Sequence, residues 1–201
     1  VIGLTLGLVV LASGSASRRA MFEAAGIRAV LDKPDVDEDA LKRDSAGLSA
    51  ESTAARLARA KVDAVASRHA GSIIIGGDQM LECDGEWFDK PVGRAGAAEH
   101  LRRLSGRTHR LISAAIAIRD GQVLWEGIDT AELTMRPLSA DFIDAYLNAA
   151  GERVLSSVGA YQVEGLGIQL FSDIRGNHFT ILGLPLLPLL DVLRREGVLK
   201  S

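Results

Sequence analysis

Ser13, Ser15, Ser17, Arg18 and Arg19 crowd into the short stretch between the apolar run GLVVLA (7–12) and a helical pattern, SRRAMFEAAG (17–26). A cation in the first turn of a helix opposes the macrodipole, at a cost of about 0.3–1 kcal/mol, so the arginines break a local rule. Such breaks concentrate at functional sites. An anion reverses the sign, because free backbone N–H groups, serine hydroxyls and a guanidinium together cradle phosphate at a strand-to-helix turn. The other reading is a helix capped by Ser17 whose arginines project into solvent. Neither GxxxxGK[ST] nor a GxGxxG after a strand occurs, so this is no Walker or dinucleotide loop.

Asp78 is the second candidate. The β-rich SIIIGGD (72–78) reads as a buried strand ending in two glycines and an acid. A carboxylate at a strand's carboxyl end can hold a divalent cation or take a proton from water, or simply close a turn. Gln79 beside it either bonds a ligand or caps that turn. Lys61, on the apolar side of a helical stripe, and Lys90, before Pro91, offer positive charge to a phosphate unless they only snorkel. Glu38 sits in an acidic run, VDED, and Glu164 is framed by Gly165 and Gly167, which suggests a tight backbone path presenting its side chain.

The elements that must position these residues alternate between β-rich runs and helical patterns, the signature of an α/β domain. Extended segments are expected over 7–12 and 27–31, and a loop over 32–49. A strong helix follows across 49–71, then the strand to Asp78. MLEC and EWFD flank Asp84-Gly85 as a hairpin, and a longer ribbon from His109 to Met135 turns at Asp120-Gly121. Helices are expected over 95–104, 139–149 and 185–196, with a pairing around Arg175-Gly176-Asn177 between the last two.

With 201 residues, 47% of them hydrophobic, the chain suits one compact domain, 1–201, with two lobes. Basic and acidic residues nearly balance, 23 against 26, and only nine residues are aromatic, which argues against a nucleic-acid surface. The apolar opening VIGLTLGLVVLA (1–12) is too short to span a bilayer, so it is expected as a buried strand with a few ragged leading residues, and no membrane partner follows. The single Cys83 excludes an internal disulfide framework, and the four histidines lack zinc-site spacing. A cytoplasmic location is the default reading.

LASGSASRR, VDE (36–38), RLARAK (56–61), GGDQ (76–79), DKP (89–91), LRRLSGRTH (101–109), GAYQVEGLGI (159–168) and GLPL (183–186), in this order, resemble the Maf family of nucleoside triphosphate pyrophosphatases. The resemblance implies an α/β fold, a mixed sheet with flanking helices and two lobes around a deep cleft, similar to inosine triphosphate pyrophosphatases. It implies cleavage of the α–β phosphoanhydride of a nucleoside triphosphate with a divalent cation, Mg²⁺ or Mn²⁺, as house-cleaning of the nucleotide pool, by a homodimer. Asp78 then matches the general base and a metal ligand, Glu38 a second metal position, and Lys61 and Lys90 catalytic lysines. Ser13, Ser15, Ser17, Arg18, Gln79 and Glu164 match substrate positions. DQ and EGLGI resemble the branch acting on 7-methyl-GTP, although Ala16-Ser17 stand where the family has proline and, in that branch, an aromatic. The family's name also carries a link to septum formation, so a non-catalytic regulator of cell division is the alternative; a carboxylate beside a phosphate cradle argues for the enzyme.

Overall fold

The computed structural model describes residues 4–201. Seven strands form a mixed sheet: β1 (Val9–Ala12), β2 (Ala29–Leu31), β3 (Ile74–Cys83), β4 (Glu86–Phe88), β5 (Thr108–Arg119), β6 (Gln122–Met135) and β7 (Phe171–Arg175). Their order is β2-β1-β3-β5-β6-β7, with β4 also on β3. Strand β1 runs parallel to both β2 and β3, whereas β4 is antiparallel to β3 and β7 to β6. Among the described residues seven α-helices accompany them: α1 (Ala16–Ala24), α2 (Glu38–Arg43), α3 (Ala50–Ala66), α4 (Gly93–Leu104), α5 (Ala140–Ala150), α6 (His178–Ile181) and α7 (Leu186–Arg195). The α/β class and mixed sheet expected from the sequence are therefore present. No described helix is long and apolar enough to cross a membrane.

The chain divides into two compact units. The first comprises the chain through Gln79, Ile112–Asp129 and Asn177–Ser201. Its core joins alternate residues of β1 and β3, such as Val9, Leu11 and Ile75, to Phe22 of α1 and Leu189 and Val192 of α7. The second comprises Met80–Leu111 and Thr130–Gly176. There α4 packs on α5, burying Leu101, Leu104, Ile143 and Leu147.

Both expected ribbons form. Asp84-Gly85 and Asp120-Gly121 each place two successive residues at positive φ, the conformation that matches the twist of a tight hairpin.

Four expectations are corrected. Strand β3 does not end at Asp78 but continues to Cys83, because Gly76 and Gly77 are needed inside the strand for close packing rather than for a turn. A Cβ on Gly76 would lie 2.7 Å from the Ala58 carbonyl oxygen on α3, and one on Gly77 would lie 3.2 Å from that of Ala114. The stretch 32–49 is not all loop: Asp37 caps α2 by accepting from the Ala40 N–H, and acids in its first turn and bases in its last complement the macrodipole. No hairpin forms around Gly176. Strand β7 pairs instead with the far end of β6, Ile174 opposite Leu133, and the chain then enters α6, capped by Asn177. Finally, the first strand starts at Val9 and not at Gly7: burial begins there, while Leu4, Leu6 and Leu8 are exposed, and Val1–Gly3 lie outside the described residues.

Candidate active site

Period-2 alternation along β3 aims Gly76 and Asp78 at one face of the strand and Gly77 and Gln79 at the other. On the first face α3 presents Ala58, Lys61 and Val62, one helical turn of residues. Without a side chain at Gly76 the helix comes close enough for the Lys61 ammonium to reach Asp78. The Lys61 Nζ lies 2.5 Å from Asp78 Oδ1 and 2.9 Å from Glu38 Oε1 at the start of α2. Lys61 and Asp78 are 6% and 5% exposed, so the pair is desolvated, while the Glu38 side chain remains about half exposed at 45%. Burying two opposite charges is costly unless each is satisfied by the other. Here the lysine bridges both carboxylates.

The second face holds Arg18. The N-cap of α1 is Ser15, not Ser17: Ser15 Oγ accepts from the Arg18 backbone N–H, and Ser13 Oγ accepts from the Ser15 N–H at 3.1 Å. Both hydroxyls accept in these bonds, so each keeps a proton to donate to a ligand. Arg18 does not project into solvent. Its side chain crosses Gly77, and its Nε donates to the Gly183 carbonyl at 2.8 Å while Nη1 donates to Ser13 Oγ at 3.4 Å. Burial lowers the affinity of this guanidinium for its proton, and Asp78 and Glu38 oppose that shift. Arg19, one position on, is exposed and pairs with Glu23 at 3.6 Å. The charge that strains the helix start is therefore Arg18, held inward.

Gln79 spends its amide nitrogen on the protein, donating to Ser113 Oγ at 3.1 Å and to the Thr180 and Ile181 carbonyls at 2.9 and 3.0 Å. Thr180 in turn donates from Oγ1 to Asp129 Oδ2 at 2.5 Å. Sequence reasoning missed Ser113, Asp129, Thr180 and Gly183 as parts of this cluster. Only Gly183 carried a signal, within GLPL; the others are ordinary polar residues whose proximity arises from folding.

The first unit thus brings together Glu38, Lys61 and Asp78, and gathers Ser13, Ser15 and Arg18 around the start of α1, with Ser17 half-buried on that helix. Lys90, after β4, and Glu164, in the turn after Tyr161, belong to the second unit and are exposed. Among the described residues no three His, Cys, Asp or Glu side chains converge as a metal cage. Asp78 and Glu38 do converge on one point, now held by the Lys61 ammonium. Two carboxylates and no full cage suit a Mg²⁺-like cation, which binds through one or two carboxylates and completes its shell with water and substrate phosphate. The donor set fits.

A buried, lysine-bridged carboxylate in the same unit as a helix start lined with hydroxyls and a guanidinium offers the donors and charges that phosphate chemistry can use. Residues 8–196 match the family model described as Maf-like protein, and the chain belongs to that family. A relative from Nitrobacter hamburgensis named nucleoside triphosphate pyrophosphatase is 52% identical over 191 residues, covering 95% of each chain. One of the same name from Paramagnetospirillum magneticum is 51% identical, covering 94% of this chain and 98% of its own. A 7-methyl-GTP pyrophosphatase from Rhizobium etli is 50% identical over 193 residues, 95% of this chain and 97% of its own.

Proposed function

We propose that this chain hydrolyses the α–β phosphoanhydride of a nucleoside triphosphate, releasing nucleoside monophosphate and pyrophosphate, with guanine nucleotides, 7-methylated or not, preferred. Family membership and the names of relatives at about 50% identity support the reaction class. The observation that carries it is the buried Lys61–Asp78 pair with Glu38 at its rim. A structural ion pair needs no third charge and no neighbouring cradle of donors.

Lys61 holds Asp78 Oδ1, which leaves Oδ2 to accept a proton from water. As the water oxygen bonds to the α-phosphorus, the bridging P–O bond breaks and its electron pair leaves with pyrophosphate. Ser13 and Ser15 donate their remaining hydroxyl protons to phosphate oxygens, and Arg18 and Lys90 supply positive charge. Asp78 and Glu38 would hold Mg²⁺ or Mn²⁺, which would supply neutralisation of the charge that develops on the phosphates. Glu164 reads the base, because a carboxylate accepts from both N1–H and the exocyclic amine of guanine but repels the carbonyls of uracil. Ser17 and Gln79 complete the substrate positions, and Ser17 offers no aromatic platform for a methylated purine. A cytoplasmic house-cleaning role and a homodimeric state accompany this reading.

The test is pyrophosphate release from GTP, 7-methyl-GTP, UTP and dTTP with Mg²⁺ or Mn²⁺, by the wild-type protein and by Asp78→Asn. Loss of a general base is expected to cost about 10²–10⁴ in rate. Release by Asp78→Asn at near wild-type rate removes Asp78 from the chemistry. No release from any triphosphate by the wild-type protein refutes the proposed reaction.

A further inference from the structure

His109, the second residue of β5, is 1% exposed, and the only hydrogen-bond partner of its side chain among the described residues is Tyr161, with Nε2 2.6 Å from the phenol oxygen. Its Nδ1 is buried with no partner. A phenylalanine here would satisfy the surrounding apolar packing without stranding a nitrogen, and an unsatisfied buried group costs about 1–3 kcal/mol. The histidine is therefore poorly explained by packing alone. What it adds is one directed bond to Tyr161.

Tyr161 opens the turn that carries Glu164, and the backbone before it is constrained. Gly159 and Ala160 both sit at positive φ, a region that costs a non-glycine residue energy unless its surroundings hold it. Tyr146 donates to the Ala160 carbonyl at 3.3 Å, and the Tyr161 ring meets Phe171 edge-on with centroids 4.9 Å apart. Beyond Glu164 the chain folds back on itself. Gly165 N–H donates to the Gln162 carbonyl at 3.2 Å, Ile168 N–H donates to that of Gly165 at 3.2 Å, and a Cβ on Gly167 would lie 2.8 Å from the Gln162 nitrogen. The far end is tied where Arg136 donates to the Gln169 carbonyl from Nε and to the Leu170 carbonyl from its backbone N–H. Glu164 itself is exposed. Its placement depends on how firmly the entry and exit of this turn are fixed.

We propose that His109 is a positioning residue for nucleobase selection, fixing through Tyr161 the entry of the turn that presents Glu164. The inference rests on the reading of Glu164 as the base-selecting carboxylate, and on no contact of His109 with substrate. The ring stays inside the unit's core and moves no proton in the reaction.

Three variants test it. His109→Phe keeps the ring and removes the bond, Tyr161→Phe removes only the oxygen, and His109→Gln places an amide nitrogen near the position of Nε2. His109→Phe and Tyr161→Phe are each expected to speed hydrogen exchange at the Gly165 and Ile168 amides at least about tenfold, as a local opening becomes easier. Both should lower the GTP-to-UTP ratio of kcat/KM at least fivefold, mainly through KM for GTP, and should leave the affinity for inorganic tripolyphosphate, which has no base, unchanged. The double variant should lose no more than either single one, because both remove the same bond. His109→Gln should restore the ratio. Unchanged exchange at Gly165 and Ile168 in both single variants overturns the anchoring role. Faster exchange with an unchanged ratio also overturns the proposal when Glu164→Gln does shift the ratio. If Glu164→Gln leaves the ratio unchanged as well, the base reading of Glu164 has failed instead, and the inference built on it falls with it.

Discussion

Removing the lysine from the Lys61–Asp78 pair should damage the protein more than removing both charges. In Lys61→Met the Asp78 carboxylate stays buried with no cation at 2.5 Å, and breaking a buried pair from one side costs about 3–5 kcal/mol. Glu38 worsens matters, since it adds a second negative charge where the lysine stood. In Asp78→Asn the cost should be smaller, about 1–2 kcal/mol, because the asparagine oxygen still accepts from Lys61 and Glu38 stays 2.9 Å away to balance the charge. The double variant Lys61→Met/Asp78→Asn leaves only an amide to satisfy, so it should be at least about 1 kcal/mol more stable than Lys61→Met, a coupling typical of residues in one network. Urea unfolding at pH 8, followed by both fluorescence and circular dichroism to check that the transitions coincide, measures all four corners of the cycle. All three variants should lack pyrophosphatase activity, which separates the stability argument from the catalytic one. If Lys61→Met is as stable as wild type, or if the two single losses simply add, the pair is not an energetic unit.

Two further outcomes follow from the same geometry. Arg18→Ala strands the Gly183 carbonyl and should lower stability by about 1–3 kcal/mol as well as weaken triphosphate binding. Arg19→Ala, exposed beside Glu23, should leave both unchanged, because a solvated ion pair contributes little; denaturation together with calorimetric titration checks this, and equal losses for the two arginines would contradict it. Burial pushes the His109 imidazole down from 6.5 to about 4, so the unfolded chain binds the extra proton first. The stability this represents, about 3 kcal/mol at roughly 1.36 kcal/mol per pH unit, is full above pH 6.5 and is lost as pH falls toward 4. His109→Gln should flatten that part of a stability-against-pH curve measured by urea unfolding, and an unaltered slope would show that His109 does not titrate on unfolding.

What the amino-acid order determined by itself is what short-range chemistry can carry. Asp-Gly pairs at 84–85 and 120–121 demand positive φ and so announce both hairpins. The stripe through Leu57, Ala58, Lys61 and Val62 announces α3, and the serines and arginines of 13–19 mark a helix start that would welcome an anion. The sequence also singled out Asp78, Lys61, Glu38 and Arg18 as residues of interest, but each on separate grounds. Only the tertiary structure decided how they combine. Whether Gly76 and Gly77 end a strand or let a helix and a guanidinium press against it depends on what packs there, and local sequence is silent on that. Arg18 meets a carbonyl 165 positions away, and β7 joins β6 rather than its own neighbour, because hydrogen bonds and ion pairs are settled by distance in space. His109 looked like an ordinary histidine for the same reason. Its meaning came from Tyr161, 52 residues along the chain and 2.6 Å away.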